Sequence, residues 1–333
     1  MKLVAVDIGG THARFAMAEV ADGRVQSLGE AITLKTADHA TFQRAWEAFG
    51  RMQAEPLPRA AAIAVAGPVP SSMASKNAGA LIKFTNNPWI VCPALIDEKL
   101  GVDAHVLVND FAAVAHAVAQ ARPEHLIHLT GPDVRLPTTG AISVVGPGTG
   151  LGVAQLWRDA AKDGGGYRVQ PTEGGHIDFA PLDALEDAIL SRLRQRHRRV
   201  SVERVVAGPG IVDIYETLAH LDGQAFVPHD DQAIWRLGTS GEDSLAAAAV
   251  DRFCLCLGSV AGDLVLAHGA QALVMAGGLG LRIKDKLLRS GFAERFRAKG
   301  RFEALMAAIP VKLITHPQPG LLGAAAAFAQ EHA

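Results

Sequence analysis

The segment Asp7-Ile8-Gly9-Gly10-Thr11 holds residue types suited to binding an anion. Glycines let the backbone approach a ligand and leave N–H groups unshielded. Successive exposed N–H groups form an anion nest. Thr11 adds a hydroxyl donor, and Asp7 adds a carboxylate able to hold a hydrated Mg2+. Apolar runs at residues 4–6 and 15–18 flank the segment, which predicts a β-hairpin with the glycines at its turn. A plain tight hairpin would use the same letters. Residues 141–157 repeat the theme around Gly146-Pro147-Gly148-Thr149-Gly150-Leu151-Gly152. Two such hairpins suggest an internal duplication, with a phosphate-binding tip on each of two similar α/β lobes. Facing tips would grip a di- or triphosphate through fixed N–H groups. Ala276-Gly277-Gly278 ends a strand and would let a purine ring lie on bare backbone, or else is a strand-to-helix turn.

No G-x-x-x-x-G-K-[ST] occurs, and the glycines at 146, 148, 150 and 152 do not fit G-x-G-x-x-G. They lead into a strand, which disfavours a dinucleotide-binding site. A second set of groups suits a polyhydroxy substrate. Asn109-Asp110 stands at the carboxyl end of a predicted strand, where ligands of α/β sheets gather. A carboxylate there can take a proton from a hydroxyl nucleophile, or can cap the helix expected from Phe111. Glu173, His176 and Glu203 add acceptors and a donor without a cationic clamp, as a neutral sugar requires. Glu-x-x-His alone is too small a set for a metal site. Thr85-Asn86-Asn87-Pro88-Trp89 reads as a binding edge more than as core.

The elements that must position these groups alternate. Strands are expected at residues 3–18 (as a hairpin), 30–36, 60–66, 104–110, 141–157 and 272–276. Helices are expected at 39–51, 93–100, 111–120, 184–199, 243–267 and from Pro319 onward. Such alternation argues for α/β. The 333 residues are 49% hydrophobic with a net charge of -2, which gives ample core and no drive toward nucleic acid or an anionic membrane. Cys92, Cys254 and Cys256 make no disulfide framework, so a reducing compartment is the default. No signal peptide is visible, and Asp251, Arg252 and Asp263 break the longest apolar stretch, which reads as a buried helix. Arg192, Arg194, Arg196, Arg198 and Arg199 read as a solvated helix end.

Taken together, these motifs resemble the bacterial glucokinases of the hexokinase and actin-like ATPase superfamily, of the type without the zinc motif of the ROK proteins. The resemblance covers nearly the whole chain. It rests on Asp7-x-Gly9-Gly10-Thr11-x-Ala13-Arg14, Asn109-Asp110-Phe111, Gly146-x-Gly148-Thr149-Gly150-Leu151-Gly152, Glu173-Gly174-Gly175-His176-x-Asp178-Phe179, Ser201-x-Glu203-Arg204 and Gly208-Pro209-Gly210. Ala276-Gly277-Gly278, Gly300-Arg301-Phe302 and Pro319-Gly320-Leu321-Leu322-Gly323 also match. The resemblance implies a two-lobed, ribonuclease H-like fold with a deep interlobe cleft. The small lobe would be residues 1–118 plus 317–333, with the C-terminal helix returning to it, and the large lobe residues 119–316.

It also implies ATP-dependent phosphorylation of the glucose 6-hydroxyl in the cytoplasm by a homodimer. Asp110 would be the general base, and Asn86, Asn109, Asp110, Glu173, His176 and Glu203 would hold glucose. Gly9, Gly10, Thr11, Gly146, Gly148, Thr149 and Gly150 would face the ATP phosphates. Asp7 would reach Mg2+ through water, and Gly277 and Gly278 would lie near the adenosine. No nucleic acid or membrane partner is implied.

Three departures stand out: His12 where Asn is usual, Pro147 in the second loop, and a longer segment over residues 70–84 that bears on the sugar range. The alternatives are a kinase of another hexose or amino sugar, a sugar-sensing regulator and an actin-like assembly ATPase. A regulator would be expected to carry a helix-turn-helix ahead of the first strand. An assembly ATPase would not need Asn109-Asp110 together with Glu173-x-x-His176.

Overall fold

The apolar runs beside both glycine turns fold as antiparallel strand pairs, and each pair starts a sheet. The computed structural model describes residues 1–67, 69, 81–84, 87–160, 166–223 and 227–332. Asn86 and most of the 70–84 segment therefore lie outside the described residues. The chain divides into two units, Met1–Arg122 with His316–Ala333, and Pro123–Thr315.

In the first unit the strands are β1 (Lys2–Ile8), β2 (His12–Ala21), β3 (Arg24–Leu28), β4 (Ile32–Lys35), β5 (Ala60–Val65), β6 (Ile82–Phe84), β7 (Asn87–Val91) and β8 (Ala104–Asn109). The helices are α1 (Phe42–Arg51), α2 (Ile96–Leu100), α3 (Asp110–Gln120) and the C-terminal helix (Pro319–Glu331). The main sheet runs β3-β2-β1-β5-β8, with β4 also on β2, while β6 and β7 pair separately. β1, β5 and β8 are mutually parallel.

β1 is buried on both faces because its alternate residues meet two different layers. Val4, Val6 and Ile8 join Phe15, Phe42, Trp46 and Phe49. Leu3 and Ala5 join Ala62, Ala64, Leu321, Ala324, Ala325 and Phe328. The alanine face lets the C-terminal helix come close. At Gly323 that helix lies against α3 so tightly that a side chain would overlap the Ala113 carbonyl oxygen. Burial also pushes His116 of α3 down to about 4, so it is neutral at physiological pH.

The second unit repeats the plan. Its strands are β9 (Leu126–Thr130), β10 (Gly140–Pro147), β11 (Leu151–Arg158), β12 (Tyr167–Thr172), β13 (Ala272–Met275) and β14 (Val311–Ile314), in the order β12-β11-β10-β13-β14-β9. As in the first unit, a hairpin's first strand pairs in parallel with a later strand, which pairs in parallel with another. The helices are α4 (Ala184–Arg194), α5 (Glu203–Val206), α6 (Gly210–Leu221), α7 (Asp231–Ser240), α8 (Ser244–His268), α9 (Gly277–Arg282), α10 (Lys284–Arg289), α11 (Phe292–Arg297) and α12 (Glu303–Ala307).

Among the described residues α8 alone is long and apolar enough to cross a membrane, and 67% of its most apolar stretch is buried. Phe253, Leu257, Val260 and Leu264 place it in the core. Cys254 and Cys256 are core residues too, and burial pushes the Cys254 thiol up to about 12.

Several elements differ from the sequence reading. α4 stops at Arg194, and three arginines of the basic run are held by carboxylates. Arg192 pairs with Glu216, Arg196 with Asp213, and Arg199 Nε lies 2.6 Å from Asp178 Oδ1. Trp89 is core and not a binding edge. Residues 87, 89 and 91 of β7 point inward by strand alternation, and the Trp89 indole donates to His39 O at 2.7 Å.

Candidate active site

In the first unit the candidate groups gather where the parallel strands end. β1 ends beyond Asp7, β5 before Gly67, and β8 at Asn109. The β1–β2 ladder closes at Ile8 and Ala13 and leaves Gly9, Gly10, Thr11 and His12 as the tip. Gly9 N–H donates across it to His12 O at 2.9 Å.

The tip carbonyls are held from neighbouring segments. Asn87 Nδ2 donates to Gly9 O at 3.1 Å, Thr36 Oγ1 to Gly10 O at 3.0 Å and Thr36 N to Thr11 O at 3.0 Å. Among the described residues the N–H groups of Gly10 and Thr11 carry no hydrogen bond. Fixed carbonyls with uncommitted N–H groups are what an anion nest needs. His12 engages its neighbour, with Nδ1 2.9 Å from Thr11 Oγ1.

Asp7 sits opposite Arg14 in the ladder, and Arg14 Nη1 donates to its Oδ2 at 3.1 Å. The first turn of the C-terminal helix covers the same carboxylate. A Cβ at Gly320 would come within 2.7 Å of Asp7 Oδ2. Burial pushes the Asp7 carboxyl above its ordinary range, against the pull of Arg14. Among the described residues no cluster of three His, Cys, Asp or Glu side chains could hold a metal. A single backed carboxylate fits a Mg2+ that keeps its waters and travels on substrate phosphates.

Asn109 caps α3. Its Oδ1 accepts from Phe111 N at 2.9 Å and Ala112 N at 3.0 Å, while its Nδ2 donates to Gly67 O at 3.1 Å. Asp110 is therefore the first helical residue and not the cap, and Phe111 N–H fixes its Oδ1 at 2.8 Å.

In the second unit the β10–β11 ladder closes at Pro147 and Leu151, leaving Gly148, Thr149 and Gly150 as the tip, above a Gly146–Gly152 pair. Gly148 N donates to Gly150 O at 2.8 Å, and Gly148 O accepts from Gly208 N at 2.7 Å. Glu203 Oε2 accepts from Leu151 N at 2.8 Å. A Cβ at Gly150 would lie 2.5 Å from that oxygen.

Glu173 precedes and His176 ends a 3-10 turn, Gly174–His176, that packs on β11. His176 Nε2 and Glu173 Oε2 are 4.0 Å apart, and both side chains are exposed. Gly277 has φ +87°, and a Cβ there would meet Pro147 O at 2.8 Å. Only glycine fits that close approach of α9 to the loop. Gly278 has open space around it.

The second unit thus brings Gly146, Gly148, Thr149, Gly150, Glu173, His176, Glu203 and Gly277 into one connected region. The sequence reading gave Thr36 no role, and it named Asn87 and Gly208 only within motifs and not as braces of the two tips. Short polar contacts to distant carbonyls leave no periodic trace.

The family profile described as Glucokinase matches residues 3–331. A glucokinase from Zymomonas mobilis is 59% identical over 332 residues, covering 100% of this chain and 99% of that protein. Among solved structures, a glucokinase from an Antarctic psychrotroph superposes with a TM-score of 0.84 at 33% identity, covering 98% of each chain. A ROK family glucokinase from Streptomyces griseus, in complex with glucose and AMPPNP, has a TM-score of 0.61 at 17% identity and covers 99% of this chain and 100% of that one.

Proposed function

Because this chain belongs to the glucokinase family and phosphorylates glucose, we propose that ATP is the donor, that the 6-hydroxyl is the acceptor and that Asp110 is the general base. The fold is the α/β actin-like ATPase fold of sugar kinases. The two units correspond in this reading to the family's two lobes. The glucose and AMPPNP held together in the Streptomyces griseus structure support the choice of donor.

The observation that carries the assignment is the place of Asp110. It opens α3 at the end of a parallel strand, with Asn109 locking the turn and Phe111 N–H orienting the carboxylate. In the reaction the glucose O6–H proton passes to Asp110 while O6 forms its bond to the γ-phosphorus. The bond from that phosphorus to the bridging oxygen breaks, and ADP leaves. Such transition states are loose, so positioning and electrostatics supply most of the acceleration.

Asn109, Asn86, Glu173, His176 and Glu203 hold the sugar. Gly9, Gly10, Thr11, Gly146, Gly148, Thr149 and Gly150 turn backbone toward the phosphates, and Gly277 and Gly278 take the adenosine side. Mg2+, carried by the nucleotide and reached from Asp7 through water, would neutralise phosphate charge. Residence in the cytoplasm and a homodimeric state are supported by the resemblance to the family alone.

Asp110→Asn tests the base. We expect kcat to fall at least about a hundredfold, since a positioned base contributes roughly 10²–10⁴, with glucose affinity nearly unchanged. Near-normal turnover would remove Asp110 from the mechanism.

A further inference from the structure

The sugar-side residues and the second glycine loop meet at one residue, Leu151. Leu151 N–H is taken by the Glu203 carboxylate at 2.8 Å. Its carbonyl oxygen lies beneath Gly175, where any side chain would overlap it, and Gly175 stands between Glu173 and His176. The segment that carries Glu203 grips the loop a second time, through Gly208 N to Gly148 O at 2.7 Å. That segment is also stitched to the residues that follow His176. Val202 N donates to Ile177 O at 2.9 Å, and Asp178 bridges Ser201.

The Glu203 carboxylate presses on Gly150, with no room between them for a methyl group. The shape of the Gly148-Thr149-Gly150 tip is therefore set by a side chain that the sugar reading assigns to glucose.

We propose that Glu203 is a positioning residue for nucleotide binding. By accepting the Leu151 N–H it holds the second phosphate loop in its anion-binding shape and ties that loop to the turn bearing Glu173 and His176. This rests on the proposed function, in which the loop receives ATP phosphates. Two requirements can be separated. Contact with a sugar hydroxyl needs the carboxylate, whereas bracing the loop needs only an acceptor of the right reach. Glu203→Gln keeps an amide oxygen at that reach and loses the charge. Glu203→Asp keeps the charge and withdraws it by one methylene.

The experiment is calorimetric titration of the full-length protein with AMPPNP in the absence of sugar, and separately with glucose. Thermal melting checks that each variant is folded. We expect Glu203→Asp to weaken AMPPNP about tenfold, the scale of losing one hydrogen bond to a charged acceptor. Glu203→Gln should stay within about twofold of the parent for AMPPNP while losing glucose affinity. Equal AMPPNP affinity in both variants and the parent overturns the bracing role and leaves the proposed function standing. A parent protein that binds glucose but no AMPPNP overturns both. Glu203→Asp serves in place of an alanine variant because it preserves charge and most of the side-chain volume.

Discussion

The two glycine hairpins share a plan and differ in what holds them. The first has a four-residue tip above an Asp7–Arg14 ion pair, and its carbonyls are fixed by neutral donors from Thr36 and Asn87. The second has a three-residue tip above a Gly146–Gly152 pair, and it is braced by a carboxylate, Glu203, together with the Gly208 amide. Charge sits inside the base of one hairpin and beside the tip of the other. In the proposed function the first hairpin would present an anion to a hydrated cation, and the second would offer backbone to the phosphates. The same hairpin plan thus carries an ion pair at one base and a glycine pair at the other.

The sharpest way to break this comparison is to neutralise the first hairpin's base. Asp7→Asn keeps the shape and can still accept from Arg14, but it removes the charge. We expect kcat to fall about a hundredfold, the scale of deleting one preorganised electrostatic group, with a higher Mg2+ requirement. Steady-state kinetics against Mg2+ concentration measures both. A fall below threefold would make the Asp7–Arg14 pair merely structural.

The next effect belongs to the second hairpin and carries its own control. Neither Gly148 nor Gly150 has positive φ, so alanine is allowed by the backbone at both. At Gly150 the new methyl meets Glu203 Oε2 at 2.5 Å, whereas at Gly148 the nearest atom is 3.9 Å away. Gly150→Ala should therefore displace the carboxylate and lower kcat/KM for ATP by about tenfold, and Gly148→Ala should change it less than about twofold. Equal effects would mean that the tip needs glycine for ligand access and not to accommodate Glu203.

Both hairpins were legible in the sequence because β-branched runs broken by glycines have a local signature. α8 and the C-terminal helix were legible by their apolar spacing and length. The short helices between Glu203 and Ser240, and between Gly277 and Ala307, were not, since each is defined by packing on α8 or by caps spaced too closely for periodicity to show. The end of α4 was misread because arginines continue a helical pattern indefinitely, while its true limit depends on Arg196 and Arg199 reaching Asp213 and Asp178.

Trp89 was misread from its polar neighbours, although a period of two would have turned it inward with Asn87. Within the site, residue types and rough positions were readable, but the bracing was not. Asn109 shows why: its place beside Asp110 was readable, and only the folded turn reveals that its oxygen also holds Phe111 N and Ala112 N.

The smallest expected effect tests whether the first hairpin depends on neutral bracing as the second depends on a charged one. Thr36 is almost fully buried, and its hydroxyl donates to Gly10 O while its own N–H holds Thr11 O. Thr36→Val is nearly isosteric and deletes only the first bond. A neutral hydrogen bond is worth about 1 kcal/mol net, so KM for ATP should rise about fivefold and KM for glucose should stay unchanged. Asn87→Ala, which frees Gly9 O, should act in the same direction and add to it, with some loss of thermal stability because Asn87 Oδ1 also accepts from Trp89 N at 2.9 Å. If the double variant binds ATP normally, the ladder alone shapes the first tip. The two hairpins would then differ in kind, one self-supporting and one held in shape by Glu203.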